Sequence, residues 1–149
     1  MRNLSLSFII LGLAFTAACS DSHSEAAPVA QAAAPAFQMI SVQAVATAVT
    51  TRDANTKVLD ANRRETFEEH HVPGATWVGH DLTAAHLPSD TSTRLVFYCA
   101  NEECSASHTA ARKAMELGHP NVFVMGAGIQ GWIAAGEPVE AVSGPTAVN

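Results

Sequence analysis

Apolar residues fall in short blocks that switch between strand and helix spacing along the chain. Phe37-Gln38-Met39-Ile40 predicts a short strand. Ser41 is a good N-cap, and Val42, Val45, Ala46 and Val49 recur at helical spacing, so a helix is expected over residues 42–51. Lys57-Val58-Leu59-Asp60 has the brevity and apolar character of a buried parallel strand. A short helix follows from Arg63 to Glu69 with Phe67 facing inward, then a turn at His70–Ala75 and a strand at Thr76-Trp77-Val78. Thr83–Leu87 is expected to form one helical turn. Strand 94–98, loop 99–104 and helix 105–117 come next. In that helix Ala106, Ala110, Ala114 and Leu117 define one face, Ala111 and Met115 widen it, and Gly118 ends it. Residues 121–125 give a fifth strand. Gly126-Ala127-Gly128 makes a tight turn into a last helix, Ile129–Ala135, where Trp132 packs inward beside Ile129 and Ile133. Strands alternating with helices predict an α/β fold: a five-stranded, mostly parallel sheet with helices on both faces and its site at the carboxyl ends of the strands. Cys99 and Asp60 both lie at such ends.

The amino-terminal 36 residues fit none of these periods. Met1-Arg2-Asn3 is short and basic, and Leu4–Ala18 is apolar or small but too short to span a bilayer, as in a secretory signal peptide of residues 1–18. Ala17-Ala18-Cys19 resembles the lipobox of bacterial lipoproteins, which implies cleavage before Cys19 and acylation of its sulfur. Ser20 after it favours the outer membrane. The alternative is a signal cut near an alanine and a soluble periplasmic product. Residues 20–36 are small, polar or proline and serve as a tether, so 19–36 is a lipidated linker, 37–142 the domain and 143–149 a loose tail. Membrane contact would then run through the lipid alone. The domain would face an oxidising compartment, where two remaining cysteines can pair.

A formal net charge of −6 argues against a nucleic-acid partner. The chemistry concentrates in Arg94–Arg112. Cys99 ends a strand and faces a turn into a helix, where loop amides of residues 100–104 and the helix dipole can stabilise a thiolate by about 0.3–2 kcal/mol. Cys99 is therefore the expected nucleophile, with Ala100, Asn101, Glu102, Glu103, Ser105 and His108 lining the loop and helix start. Cys104, across the loop, is the candidate second thiol if the two α-carbons lie within about 7 Å. Asp60 is expected to accept hydrogen bonds from amides near this loop. No cofactor is called for: Gly126-Ala127-Gly128 is better explained as a turn than as a phosphate loop.

Three segments together resemble the rhodanese-like domain: VLDANRRETFEEHHVPGA (58–75), VFYCANEECSAS (96–107) and NVFVMGAGIQGWIAAGEPVE (121–140). They stand in the family's order and spacing across residues 39–141. The resemblance implies a sulfurtransferase that holds a persulfide on Cys99 and passes sulfur from a small donor to a thiol acceptor. It also places His71 in the family's turn, where histidine organises backbone. Two places depart from the family. Cys104 stands where many members have arginine, and Asp60-Ala61-Asn62 replaces Asp-x-Arg, so both usual sources of positive charge are missing. A persulfide on Cys99 could be attacked by Cys104, which would release sulfide and leave a disulfide.

Other readings stay open. A Cys-x5-Arg phosphatase loop would need arginine at Ser105. Cys99, Cys104 and His108 have C-x4-C-x3-H spacing, which is a loose match to a zinc site, and no metal is expected. A non-catalytic domain binding a thiol, metal or protein, or a thiol redox protein, would also use this cleft. The oligomeric state is open.

Overall fold

The computed structural model describes residues 36–142. The expectations for residues 1–18, Cys19, most of the tether and residues 143–149 lie outside that range. Among the described residues no helix is long and apolar enough to cross a membrane.

The strands are β1 (Gln38–Met39), β2 (Thr56–Asp60), β3 (Thr76–Trp77), β4 (Arg94–Tyr98) and β5 (Val122–Val124). The helices are α1 (Val42–Thr50), α2 (Arg64–Glu69), α3 (Ala106–Glu116) and α4 (Gly128–Ala134). One sheet runs in the order β1-β5-β4-β2-β3, and all four pairings are parallel. The α/β expectation holds, with a sheet that is wholly rather than mostly parallel. Ser41 caps α1 by accepting from the Ala44 amide at 3.2 Å. The turn expected over Thr83–Leu87 is a 3-10 turn at Ala84–His86.

Strand alternation sorts the core into two layers. Leu95, Phe97 and Cys99 point to one face, where Ala110, Ala111 and Ala114 of α3 cover them. Val96 and Tyr98 point to the other, against Val45 of α1 and Ile129 and Trp132 of α4. The side chain after β4 therefore lands beneath α3 because its parity matches Leu95 and Phe97.

Three packing expectations need correction. The buried stripe of α3 is Ser107, Ala110, Ala111 and Ala114, while Leu117 is 37% exposed. Ala106 and Met115 are half-buried at the margins of that stripe. Ile133 is 45% exposed, being adjacent to the buried Trp132 on a helix and so turned away from it. Phe67 is only half-buried, because α2 sits at the margin and its ring stacks on His71 at 4.0 Å.

Candidate functional site

The site is built at the carboxyl ends of β2 and β4. Tyr98 carries the chain into the Cys99–Cys104 loop, and the first turn of α4 fastens that loop from the side. The Ile129 amide donates to the Cys99 carbonyl at 2.8 Å, and the Gln130 amide donates to the Ala100 carbonyl at 3.0 Å. Gly128 makes the contact possible: its φ is +62, and a Cβ there would lie 2.5 Å from the Ala100 carbonyl carbon. Across the loop, the Cys104 amide donates to the Asn101 carbonyl at 3.1 Å.

Both loop cysteines are free thiols. Their surroundings differ. Cys99 is 1% exposed. Its sulfur faces the Cys104 carbonyl at 3.1 Å and the Ser107 hydroxyl at 3.3 Å, with the Asn101 carbonyl at 4.0 Å. Loop amides were expected to surround this sulfur, but the nearest loop groups are the carbonyls of Cys104 and Asn101. Burial pushes the Cys99 thiol up, the neighbouring Cys104 thiol adds to this, and Ser107 opposes it. Cys104 is half-buried and lines a cleft of about 560 Å³. Its partial burial pushes its pKa up. The Cys99 thiol and the amides of Ala100 and Ala106 outweigh that and leave it below the ordinary value. Ser105 precedes α3 without making a side-chain cap. The Ala106 amide at the start of α3 favours the Cys104 thiolate.

The remaining candidates divide clearly. Ala100 and Ser105 line the cleft with Cys104. Glu102 and Glu103 are exposed and are not among its lining residues. Asn101 organises the loop, accepting from the Glu103 amide at 3.1 Å and donating to Gln130 at 3.2 Å. His108 stacks on Phe37, with ring centroids 5.2 Å apart, and does not reach the cleft, since its position on α3 turns it toward the chain's start. Among the described residues no three His, Cys, Asp or Glu side chains cluster closely enough to hold a metal ion. His71 ties the turn to the carboxyl-terminal segment. Its Nδ1 lies 2.7 Å from the Phe67 carbonyl, and its backbone pairs with Glu140.

Asp60 is fully buried. Its Oδ1 accepts from the Asn62 amide at 2.6 Å, while Oδ2 has no hydrogen-bond partner among the described residues. The expected partner was an amide of the cysteine loop; the one observed belongs to the β2–α2 connection, two residues on. Burial raises its pKa, against the opposing effect of the Tyr98 hydroxyl and Asn62. Tyr98 accepts from the Val72 amide at 3.1 Å and is held protonated well above the ordinary tyrosine value by burial and by Asp60. A carboxyl raised in the folded chain binds its proton more tightly there. Its contribution to stability therefore falls as pH rises from the ordinary value of 3.8 through the folded one. Denaturant titrations at several pH values should show Asp60→Asn gaining on the wild type as pH rises through that window. A gap that moves the other way would mean an ionised, stabilising Asp60.

Several site residues escaped the sequence reading. Arg63, Thr66, His80 and Thr109 line the cleft. Arg63, expected only as the start of the short helix 63–69, stands one residue after the place where the family's arginine is missing. Ser107 could have been found, since it falls on the α3 stripe with Ala110, Ala111 and Ala114.

Comparison with known proteins agrees with this geometry. The family profile of the rhodanese-like domain matches residues 44–135, more than half of the chain. The chain belongs to the rhodanese-like domain family. Among solved structures, a Bacillus halodurans protein superposes with a TM-score of 0.65 at 20% identity, covering 70% of this chain and 77% of its own. The rhodanese-like domain of an Anabaena protein gives 0.61 at 19% identity, covering 76% and 87%. A thiosulfate sulfurtransferase from Pseudomonas aeruginosa gives 0.58 at 26% identity. It is covered over 72% of this chain but only 20% of its own length. In this rhodanese-like domain the second cysteine of the loop, Cys104, faces the cleft.

Proposed function

We propose that this rhodanese-like domain is a sulfurtransferase whose chemistry runs through the thiol pair Cys99 and Cys104. The observation that carries the reading is the pair itself. One thiol stands in a cleft at the carboxyl ends of parallel strands, and the second touches it from behind and, with the amides of Ala100 and Ala106, lowers the pKa of the one in the cleft. A thiol of lowered pKa supplies more thiolate at neutral pH, and thiolate is the form that attacks sulfur. The donor is a small molecule bearing sulfane sulfur, and the acceptor is a thiol. No cofactor enters the scheme. The family membership and the 26% identity to a thiosulfate sulfurtransferase support the reaction class. Residues 1–19 favour export and a lipid anchor at Cys19, which would hold the domain at the periplasmic side of an outer membrane.

With thiosulfate or an alkyl persulfide as donor and a small thiol in excess, the wild type should release hydrosulfide catalytically. The double variant Cys99→Ser/Cys104→Ser should fall to the uncatalysed background. Absence of both turnover and any added sulfur on the wild-type protein by mass spectrometry would favour a domain that only binds.

A further inference from the structure

The family resemblance assigns the attacking role to the cysteine that ends the strand. The geometry points the other way. Cys99 is sealed under α3, and its sulfur lies 3.1 Å from the Cys104 carbonyl, an acceptor that suits a thiol and opposes a thiolate, with Ser107 alone favouring the charged form. Cys104 opens on the cleft together with Asn62, Arg63, His80, Ser105 and Thr109. Two further features of that cleft ask for an acceptor-rich ligand. Asn62 is 5% exposed, and its Nδ2, beside the Asp60 carboxyl, is a buried donor without a well-formed hydrogen bond among the described residues. Arg63 is exposed and takes part in none of the ion pairs formed among the described residues, whereas its neighbour Arg64 is bound to Glu68 at 3.2 Å.

Resting on the sulfurtransferase reading, we propose that Cys104 is the thiol that meets the sulfur donor, that Asn62 and Arg63 hold the donor's anionic oxygens, and that Cys99 is the resolving thiol. Positive charge absent from the usual two places is thus supplied from a third, one residue along the β2–α2 connection. The lowered pKa of Cys104 and the raised pKa of Cys99 agree with this division of labour.

The steps balance with thiosulfate as donor. The Cys104 thiolate attacks the outer sulfur. The donor's S–S bond breaks, and its electron pair leaves with sulfite. Cys104 then carries a persulfide anion. The Cys99 thiol attacks the Cys104 sulfur, the bond to the terminal sulfur breaks, and hydrosulfide leaves with that electron pair. The Cys99 proton passes to the departing sulfur, which makes it hydrosulfide, and a Cys99–Cys104 disulfide remains. Two small-molecule thiols reduce it and become a disulfide themselves. One sulfane sulfur is reduced to sulfide, and two acceptor thiols are oxidised.

The test is to expose wild-type, Cys99→Ser and Cys104→Ser protein to thiosulfate without added thiol, then map the cysteines by mass spectrometry. Cys99→Ser should accumulate one extra sulfur on Cys104 and release no hydrosulfide. Wild type should release about one equivalent of hydrosulfide and acquire the intramolecular disulfide. Cys104→Ser should take up no sulfur. An adduct on Cys99 in Cys104→Ser, formed at the wild-type rate, would overturn the assignment while leaving sulfur transfer intact. Failure of every protein to take up sulfur, from thiosulfate or from a persulfide, would overturn both. Arg63→Ala should raise the thiosulfate concentration needed for half-maximal loading of Cys104 about tenfold. Alkylation of Cys104 by neutral iodoacetamide should be little changed. An equal fall in both would mean that Arg63 only shapes the loop.

Discussion

Replacing Gly128 with alanine should cost about 2–4 kcal/mol of stability and remove most of the sulfur-transfer activity. Two penalties combine. The residue has a φ of +62, a left-handed conformation that a side chain disfavours. The new Cβ would also meet backbone, with the Ala100 carbonyl oxygen and the Asn101 nitrogen each 2.6 Å away. Backbone cannot rotate aside as a flexible side chain would. The loop must move, and with it the bonds from Ile129 and Gln130 that shape both cysteine environments. Gly74→Ala is the control. Its φ is +73, but nothing lies within 4 Å of the added atom, so only the conformational penalty of about 1 kcal/mol should appear. Urea midpoints for the two variants, read beside loading of the cysteines with sulfur, separate the effects. Equal midpoints would show that the loop yields freely to the intruding methyl group.

Trp132→Ala should be the most destabilising of the core truncations, at about 3–5 kcal/mol. Its side chain is fully buried in the layer formed by Val45, Val96, Tyr98 and Ile129. The indole also donates to the Pro138 carbonyl at 2.7 Å. That bond anchors the segment whose Glu140 pairs with His71 and accepts from the Gly74 amide at 3.0 Å. Trp132→Phe keeps most of the apolar contact and loses the donor. Because Pro138 is exposed and its carbonyl can turn to water, this variant should lose only about 1–2 kcal/mol. Thermal or denaturant unfolding of the pair checks the ranking. Similar losses in both would show that the hydrogen bond, rather than the buried ring, dominates.

The strand–helix alternation was legible because β2, β4 and β5 are short apolar runs and α1 and α3 carry apolar residues at helical spacing. Local signals such as Ser41 and Gly118 marked ends that the structure keeps. The cysteine loop was legible as a place. What the sequence could not show was which loop groups face which sulfur. That depends on α4, whose first-turn amides bind the Cys99 and Ala100 carbonyls from a distance of about thirty residues along the chain. Arg63 was missed for a related reason. It sits in a run of charged residues with Arg64, Glu65, Glu68 and Glu69, and only the approach of β2 to β4 shows that it borders the cleft. His108 erred in the opposite direction: nearness in sequence to Cys104 suggested a shared site, and one helical turn carried it to Phe37.

The clasp between α4 and the cysteine loop also sets an order of events. A chain made from its amino end presents both cysteines before it possesses the helix that gives them unlike surroundings. Until Gly128 reaches Ala100, the two thiols are near-equivalent residues on an unfastened segment. Their division into a shielded partner and an exposed one is therefore a property of the completed domain. A nascent chain carries the reactive atoms well before it carries the selectivity.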